Sequence, residues 1–128
     1  MNEKKSNSLI KKIAPKMNQG QYVFITTNNP DAIQSSDIIL QFREKEGTTF
    51  VLERKLADQK GLTYNFVAAW ITLTVHSSLE AVGLTAKVSA ALAKESISCN
   101  AVAAYHHDHI FVPYRDADRA ISVLRKLD

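Results

Sequence analysis

Two segments of this sequence hold side chains whose types and spacing could do chemistry. The first, HSSLEAVG at residues 76–83, places two hydroxyls and a carboxylate shortly before a glycine. A glycine that opens a helix lets a small molecule approach the backbone closely, and the first helical amides can receive a carboxylate against the helix dipole. Gly83, Leu84 and Thr85 fit this role, so a small zwitterion such as an amino acid could bind here.

Neighbouring side chains could complete such a pocket. Ser77 and Ser78 offer hydrogen bonds, and Glu80 offers a negative charge for an ammonium group. The full set of candidate ligand-binding residues is His76, Ser77, Ser78, Glu80, Val82, Gly83, Leu84, Thr85, Asn100 and Val102. Ser77 and Glu80 also have the spacing of a helix capping box, in which each side chain satisfies the other residue's amide. Both interpretations stay open at this point.

The second segment is the run His106, His107, Asp108 and His109. Imidazole and carboxylate are good zinc ligands, so a metal-binding or catalytic role is one alternative. Adjacent residues of a strand point to opposite faces, however, and a tight turn explains the run more economically. Cys99 lies inside a predicted strand and is expected to be a small buried hydrophobe. We therefore expect no catalytic residues, no metal and no cofactor.

Composition bounds the class of protein. The chain has 128 residues, 45% of them hydrophobic, which is enough for one compact domain or two small packed units. Its net charge of +3 comes from scattered basic residues, so neither nucleic acid nor a membrane is an expected partner. One cysteine, an N-terminus without a signal-like apolar core and no long apolar run predict a cytoplasmic location.

The second half has clear periodicities. Leu84, Val88, Ala91 and Leu92 follow helical spacing, whereas Ile71 and its neighbours alternate between apolar and polar residues as in a strand. The predicted elements are a strand over Phe66–His76, a helix over Leu84–Glu95, a hairpin of Ile97–Tyr105 with His109–Val112, and a final helix capped by Asp116. The order of this half is therefore βαββα.

The first half has weaker signals. A helix is predicted near Ser8–Ala14, ending at Pro15, and strands are predicted over Gln21–Thr27 and Thr48–Glu53. Between these strands, the pattern predicts a helix capped by Asp37, with Ile38, Ile39 and Phe42 on one face and Gly47 at its end. A short helical turn through Leu56 and Ala57 closes at Gly61. We place the boundary between residues 1–62 and 63–128.

A βαββα half leaves one edge of its sheet unpaired, so another strand must cover it. We expect Gln21–Thr27 or Thr48–Glu53 of the first half to do so. The two halves would then be inseparable.

The segments HSSLEAVGLTA and YHHDHIFVP, with the strand that begins Ile97-Ser98-Cys99-Asn100, resemble the ACT domain, a regulatory ligand-binding module of aspartate kinases and related enzymes. FREKEG and TTFVLE make the first half similar to the same type, as in small stand-alone bacterial proteins with tandem ACT-like halves. Ala81 and Val82 stand where many such loops carry Asp and Pro.

The resemblance implies an α+β, ferredoxin-like βαββαβ fold in two intimately packed units that share antiparallel sheet. It also implies a non-catalytic regulatory module that binds a small metabolite, an amino acid by preference, at the interface of ACT-like units, and a homodimer. The alternatives are the metal or catalytic role of the histidine run and a structural interaction module without a ligand.

Overall fold

A computed structural model of the chain describes residues 13–74 and 83–127. The strands are β1 (Pro15–Thr27), β2 (Leu40–Arg43), β3 (Thr48–Glu53), β4 (Val67–Leu73), β5 (Asn100–Ala103) and β6 (Asp108–Pro113). The α-helices are α1 (Arg54–Gln59), α2 (Leu84–Lys94) and α3 (Ala117–Arg125), and 3₁₀ turns cover Pro30–Ala32, Ser35–Asp37 and Tyr114–Asp116. The strands form one sheet in the order β2-β3-β1-β4-β6-β5. The predicted α+β fold of ferredoxin-like units is confirmed.

The chain divides into two compact units. The inserted unit is Gly20–Ala68, and the flanking unit combines Met1–Gln19 with Ala69–Asp128. Both boundaries fall inside strands, because β1 and β4 each continue from one unit into the other. The division into residues 1–62 and 63–128 remains a prediction about folding units.

The flanking unit has the strand order of a ferredoxin-like sheet, with the start of β1 beside β4 and then β6 and β5. Thr74 donates its backbone amide to the carbonyl of Ala14 at 3.2 Å, and the side-chain amide of Asn18 donates to the carbonyl of Trp70 at 3.2 Å. The first half therefore does supply the missing strand, but the two predicted segments, Gln21–Thr27 and Thr48–Glu53, were the wrong ones. Those segments pair with each other in the inserted unit, and the start of β1, before Gly20, lies beside β4.

Helices α2 and α3 pack on one face of the flanking unit's sheet. Ile71 and Leu73 of β4 are buried there, as the alternation of that strand predicts. The remaining core members from the other elements include Ile110, Val112, Val88, Leu92, Ala120, Ile121 and Leu124. The predicted amphipathic helices are thus confirmed, and the polar residues between the apolar positions of β4 face the other way.

The inserted unit is built on the pairing of β1 with β3. Val23 lies opposite Leu52, and Ile25 lies opposite Phe50, so their side chains share one buried face with Ala57 of α1. The predicted strand Thr48–Glu53 and the helical turn that closes at Gly61 are both confirmed.

The helix predicted after Asp37 is wrong. Leu40–Arg43 is a strand that pairs with β3, and the backbone amide of Glu44 donates to the carbonyl of Gly47 at 3.0 Å to close the hairpin. The apolar stripe that suggested a helix is not buried, since Ile39 and Phe42 are 39% and 65% exposed. Pairing with the central strand β3 overrides the local helical pattern.

Two predictions about helix ends also change. Of the helix predicted at Ser8–Ala14, residues 8–12 lie outside the described residues, Ile13 and Ala14 are not helical, and β1 begins at Pro15, a position that proline tolerates in strands. Asp116 precedes α3 but makes no capping hydrogen bond with its side chain. The preceding 3₁₀ turn replaces that cap, because the amide of Ala117 donates to the carbonyl of Tyr114.

Candidate functional site

The N-terminus of α2 is one part of the predicted ligand site that the structure describes, and Asn100 and Val102 on β5 are the other. Gly83 precedes the helix with φ 99° and ψ −19°, a left-handed conformation that favours glycine. A Cβ built at Gly83 would meet no atom of the described residues within 4 Å. Leu84 packs against the core, whereas Thr85 is exposed.

This terminus has the electrostatics of an anion site. The amide of Lys87 donates to the carbonyl of Gly83 at 2.9 Å, which is the first hydrogen bond of the helix. The amides of Leu84 and Thr85 precede that bond and have no acceptor within the helix itself. The helix dipole adds partial positive charge at the same end, so a carboxylate is a suitable ligand.

Five of the ten predicted site residues directly precede the N-terminus of α2 in the sequence. His76, Ser77, Ser78, Glu80 and Val82 lie outside the described residues, and so does the alternative capping box of Ser77 with Glu80. The contribution of these side chains to a pocket stays a prediction.

Asn100 and Val102 lie on β5, opposite Phe111 and His109 of β6. The side-chain amide of Asn100 donates to the carbonyl of Phe111 at 3.3 Å. Because side chains alternate along a strand, Asn100 and Val102 share the face of Phe111 and His109, and Ala101 shares the helix-covered face of Ile110. The structure therefore groups both residues with the sheet face opposite α2 and α3.

That face carries a set of contacts that sequence reasoning missed, and we call it the Trp70 cluster: Asn18, Trp70, Thr72, His109 and Phe111. The Trp70 indole donates from Nε1 to Nδ1 of His109 at 3.0 Å, and Thr72 Oγ1 lies 3.2 Å from the same nitrogen. Asn18 donates from Nδ2 to Thr72 Oγ1 at 2.9 Å. The rings of Trp70 and Phe111 stack with centroids 6.3 Å apart. The alternation of Trp70 and Thr72 with the apolar Ile71 and Leu73 was the signal that these side chains share a face.

The Trp70 cluster fixes the protonation of His109. An indole N–H can only donate, so Nδ1 of His109 accepts and the ring proton resides on Nε2. Burial lowers the pKa of His109, the neighbouring His107 lowers it further, and Asp108 acts in the opposite direction. His109 is therefore neutral at physiological pH.

This tautomer argues against a metal on the histidine run. Coordination through Nε2 would move the proton of His109 to Nδ1, where it would face the Trp70 N–H. Nδ1 of His107 is buried without a hydrogen-bond partner in the described structure. Within residues 13–74 and 83–127, no three His, Cys, Asp or Glu side chains are grouped so that they could hold a metal ion.

The thiol of Cys99 shows no sign of activation. It is half-buried against the core of the flanking unit, and burial raises its pKa, which favours the protonated thiol over the nucleophilic thiolate.

The described ranges contain no helix with the length and apolar character to span a membrane.

Fold and site together define a class: tandem ferredoxin-like units with a helix that begins directly after a left-handed glycine. Two family models of the ACT domain match the chain, one over residues 2–69 and the other over residues 65–126. The chain belongs to the ACT domain family. The predicted tandem arrangement of ACT-type halves is thus confirmed, including the first half, where the sequence signal was faint.

Solved structures agree with this assignment. A crystal structure from Vibrio cholerae, of a protein of unknown function described as a possible transport protein, is 45% identical with a TM-score of 0.83, and the match covers 94% of each chain. The ligand-free regulatory subunit of aspartate kinase from Thermus thermophilus is 9% identical with a TM-score of 0.66, covering 89% of this chain and 95% of that one.

Aspartokinase III from E. coli, in complex with aspartate and ADP, is 14% identical with a TM-score of 0.59. That match covers 86% of this chain and 32% of the enzyme. At such low identity, the two kinase matches show the fold alone. No curated protein sequence matches the chain significantly.

Proposed function

We propose that this protein is a non-catalytic sensor that binds an amino acid where ACT-like units meet, and that it works in the cytoplasm as a homodimer. ACT domains are ligand-binding regulatory modules, and both halves of the chain match the family. The N-terminus of α2, opened by Gly83, is the observation that carries the proposal.

The ligand's carboxylate would accept hydrogen bonds from the amides of Leu84 and Thr85. These donors are backbone amides of a helix, so no side-chain rotamer freedom is lost when they bind. Glu80 would hold the ammonium group, which makes the site selective for a zwitterion over a simple anion. Regulation would follow from a difference in ligand affinity between two packing arrangements, and its size is limited by that difference.

The homodimer proposal is supported by β2, an edge strand of the sheet. Glu44 and Gly47 exchange backbone hydrogen bonds at 3.0 and 3.4 Å. Backbone groups alternate in direction along a strand, so the even-numbered residues of β2 direct their amides and carbonyls toward β3. Gln41 and Arg43 therefore direct their amides and carbonyls outward, where a second strand could pair. Phe42 is 65% exposed and adds an apolar contact to such an edge.

Thermal-shift measurements with the twenty amino acids test the ligand. A compound present at about 100 times its Kd stabilises the folded chain by about 2.7 kcal/mol, which is readily measured. Gly83→Ala should abolish most of that shift, because a side chain at φ 99° strains the turn that presents the amides.

Gly61→Ala is the matched control. Gly61 also has a positive φ, of 65°, and a Cβ built there meets no described atom within 4 Å. Both variants should lose about 1 kcal/mol of stability, but only Gly83→Ala should lose the ligand response. Equal responses in the two variants would refute the site, and silence across every amino acid would favour a structural module without a ligand.

A further inference from the structure

A cavity lies wholly within the inserted unit. It has a volume of about 630 Å³ and is formed by residues 24–26 of β1 and by residues 61–66, the segment that leads into β4. This volume is within the usual range for small-molecule sites, about 300–1,000 Å³. The α2 N-terminus belongs to the flanking unit and contributes nothing to this cavity.

Strand geometry explains why the cavity has polar backbone on one side. The amide of Ile39 donates to the carbonyl of Val51 at 2.9 Å, so Val51 faces β2 and its neighbour Phe50 faces β1. Phe50 pairs with Ile25, which leaves the amide and carbonyl of Thr26 pointing away from β3. β4 begins only at Val67, so the segment beside Thr26 is not part of a strand.

Aromatic rings form the apolar walls. Phe24 and Phe66 contact each other with ring centroids 6.0 Å apart and an interplanar angle of 47°. Tyr64 is held in place, because its hydroxyl accepts from Nε of Arg54 at 2.8 Å and donates to Asp58 at 2.7 Å. A wall fixed before binding loses little entropy when a ligand arrives.

Charge is missing from the lining. The polar side chains among residues 24–26 and 61–66 are Thr26, Thr63, Tyr64 and Asn65, all uncharged at neutral pH. The nearby Arg54 is engaged by Tyr64 and by Gln21, at 2.8 Å each. A carboxylate or ammonium group would therefore meet no charged side chain in the lining itself, and Arg54 and Asp58, which hold Tyr64, pair with each other at 3.9 Å.

The uncharged hydrogen-bonding groups and the aromatic rings of the lining define which ligand fits the cavity. Thr and Asn side chains both donate and accept hydrogen bonds, and so does the strand edge at Thr26. Flat aromatic walls favour a flat, apolar ring. We propose that this cavity binds an uncharged, planar heteroaromatic molecule with hydrogen-bond donors and acceptors on its edge. The site is independent of the amino-acid site proposed at α2.

Neutral nucleobases and nicotinamide are suitable probes. We expect adenine, uracil or nicotinamide at millimolar concentration to raise the melting temperature of the full chain. We also expect them to shift the amide NMR resonances of Thr26 and of residues 63–66. Asn65→Ala and Thr63→Val, both at exposed positions, should weaken binding of the same probe about tenfold while the protein stays folded.

Gly83→Ala serves as the control, because it alters the α2 N-terminus and should leave probe binding unchanged. Absence of any shift at residues 24–26 and 61–66 with every neutral probe would overturn the proposal. So would equal affinity of Asn65→Ala and the unmodified chain. Failure of the amino-acid screen, by contrast, would count only against the α2 site.

Discussion

Acidification should weaken the Trp70 cluster through one residue, His109. In the folded protein, Nδ1 of His109 accepts the Trp70 indole proton at 3.0 Å. Protonation places a hydrogen on this nitrogen, so two donors then face each other and the bond is lost. Burial holds the pKa of His109 below its ordinary value of 6.5, which means that the unfolded chain takes up this proton first.

The sign and size of the effect follow from this. Well above pH 6.5, both states are neutral at His109 and the contribution to stability is complete. As the pH falls below about 6.5, the unfolded state binds more protons than the folded state, so the free energy of unfolding decreases. Stranding a buried donor costs about 1–3 kcal/mol, and Trp70 is only half-buried. We expect a loss of about 1–2 kcal/mol on full protonation, taking the lower part of that range.

Urea unfolding followed by tryptophan emission measures this directly, because Trp70 is the only tryptophan. The free energy of unfolding would be determined between pH 8 and 5 for the unmodified chain and for His109→Gln, which can accept from the indole but does not titrate. His106→Gln, at an exposed position of the same hairpin, is the control. If the unmodified chain and His109→Gln lose stability in parallel, the reasoning about His109 is refuted.

Four further outcomes are expected. Tyr64→Phe removes two hydrogen bonds and should lower the free energy of unfolding by about 1–2 kcal/mol, whereas an unchanged urea midpoint would contradict the wall-fixing role. Leu92→Ala empties a fully buried position and should destabilise by about 2–5 kcal/mol in the same assay. Phe42→Ser should leave stability within about 0.5 kcal/mol but shift a dimer toward monomer in sedimentation, and an unshifted dimer would exclude the β2 edge. Residues 63–128 alone should lack dispersed NMR signals, because their sheet needs the start of β1; a well-folded fragment would count against shared strands.

Sequence alone was sufficient to predict an element where its apolar periodicity agrees with the burial of its residues. The helix from Leu84 was predictable because Leu84, Val88 and Leu92 contact one core. The β5–β6 hairpin was predictable because Ile110 and Val112 of β6 contact the same core and a polar turn precedes them. Strand β3 was predicted with its bounds, since a β-branched and aromatic run between glycine and charged residues has few alternatives.

The segment after Asp37 failed for the opposite reason. Ile38, Ile39 and Phe42 have helical spacing, but the structure buries no face made of them. The hydrogen bonds of β2 go to β3, a partner that the local sequence does not reveal. Pairing between strands cannot be predicted from a local pattern of apolar residues, because it depends on a partner outside that segment.

The candidate site also has one part that local sequence predicts and one part that depends on long-range strand pairing. The turn at Gly83 was predictable, because a glycine before a helical stripe has a local conformational reason. The Trp70 cluster was not, since Asn18, Trp70 and His109 come from three strands that are far apart in sequence. Only the sheet order places them side by side.

Strand sharing explains how one short chain matches the family twice. The two matched ranges, residues 2–69 and 65–126, overlap at residues 65–69, which include the start of β4. These residues close the first half in sequence and open the second, so one strand serves both. β1 is likewise divided between the two units, and its start is an edge strand of the flanking unit, whose helix α2 carries the proposed ligand site. A ligand held at Gly83 would therefore stabilise a unit to which residues before Gly20 also belong, and its effect on unfolding should extend to the beginning of β1.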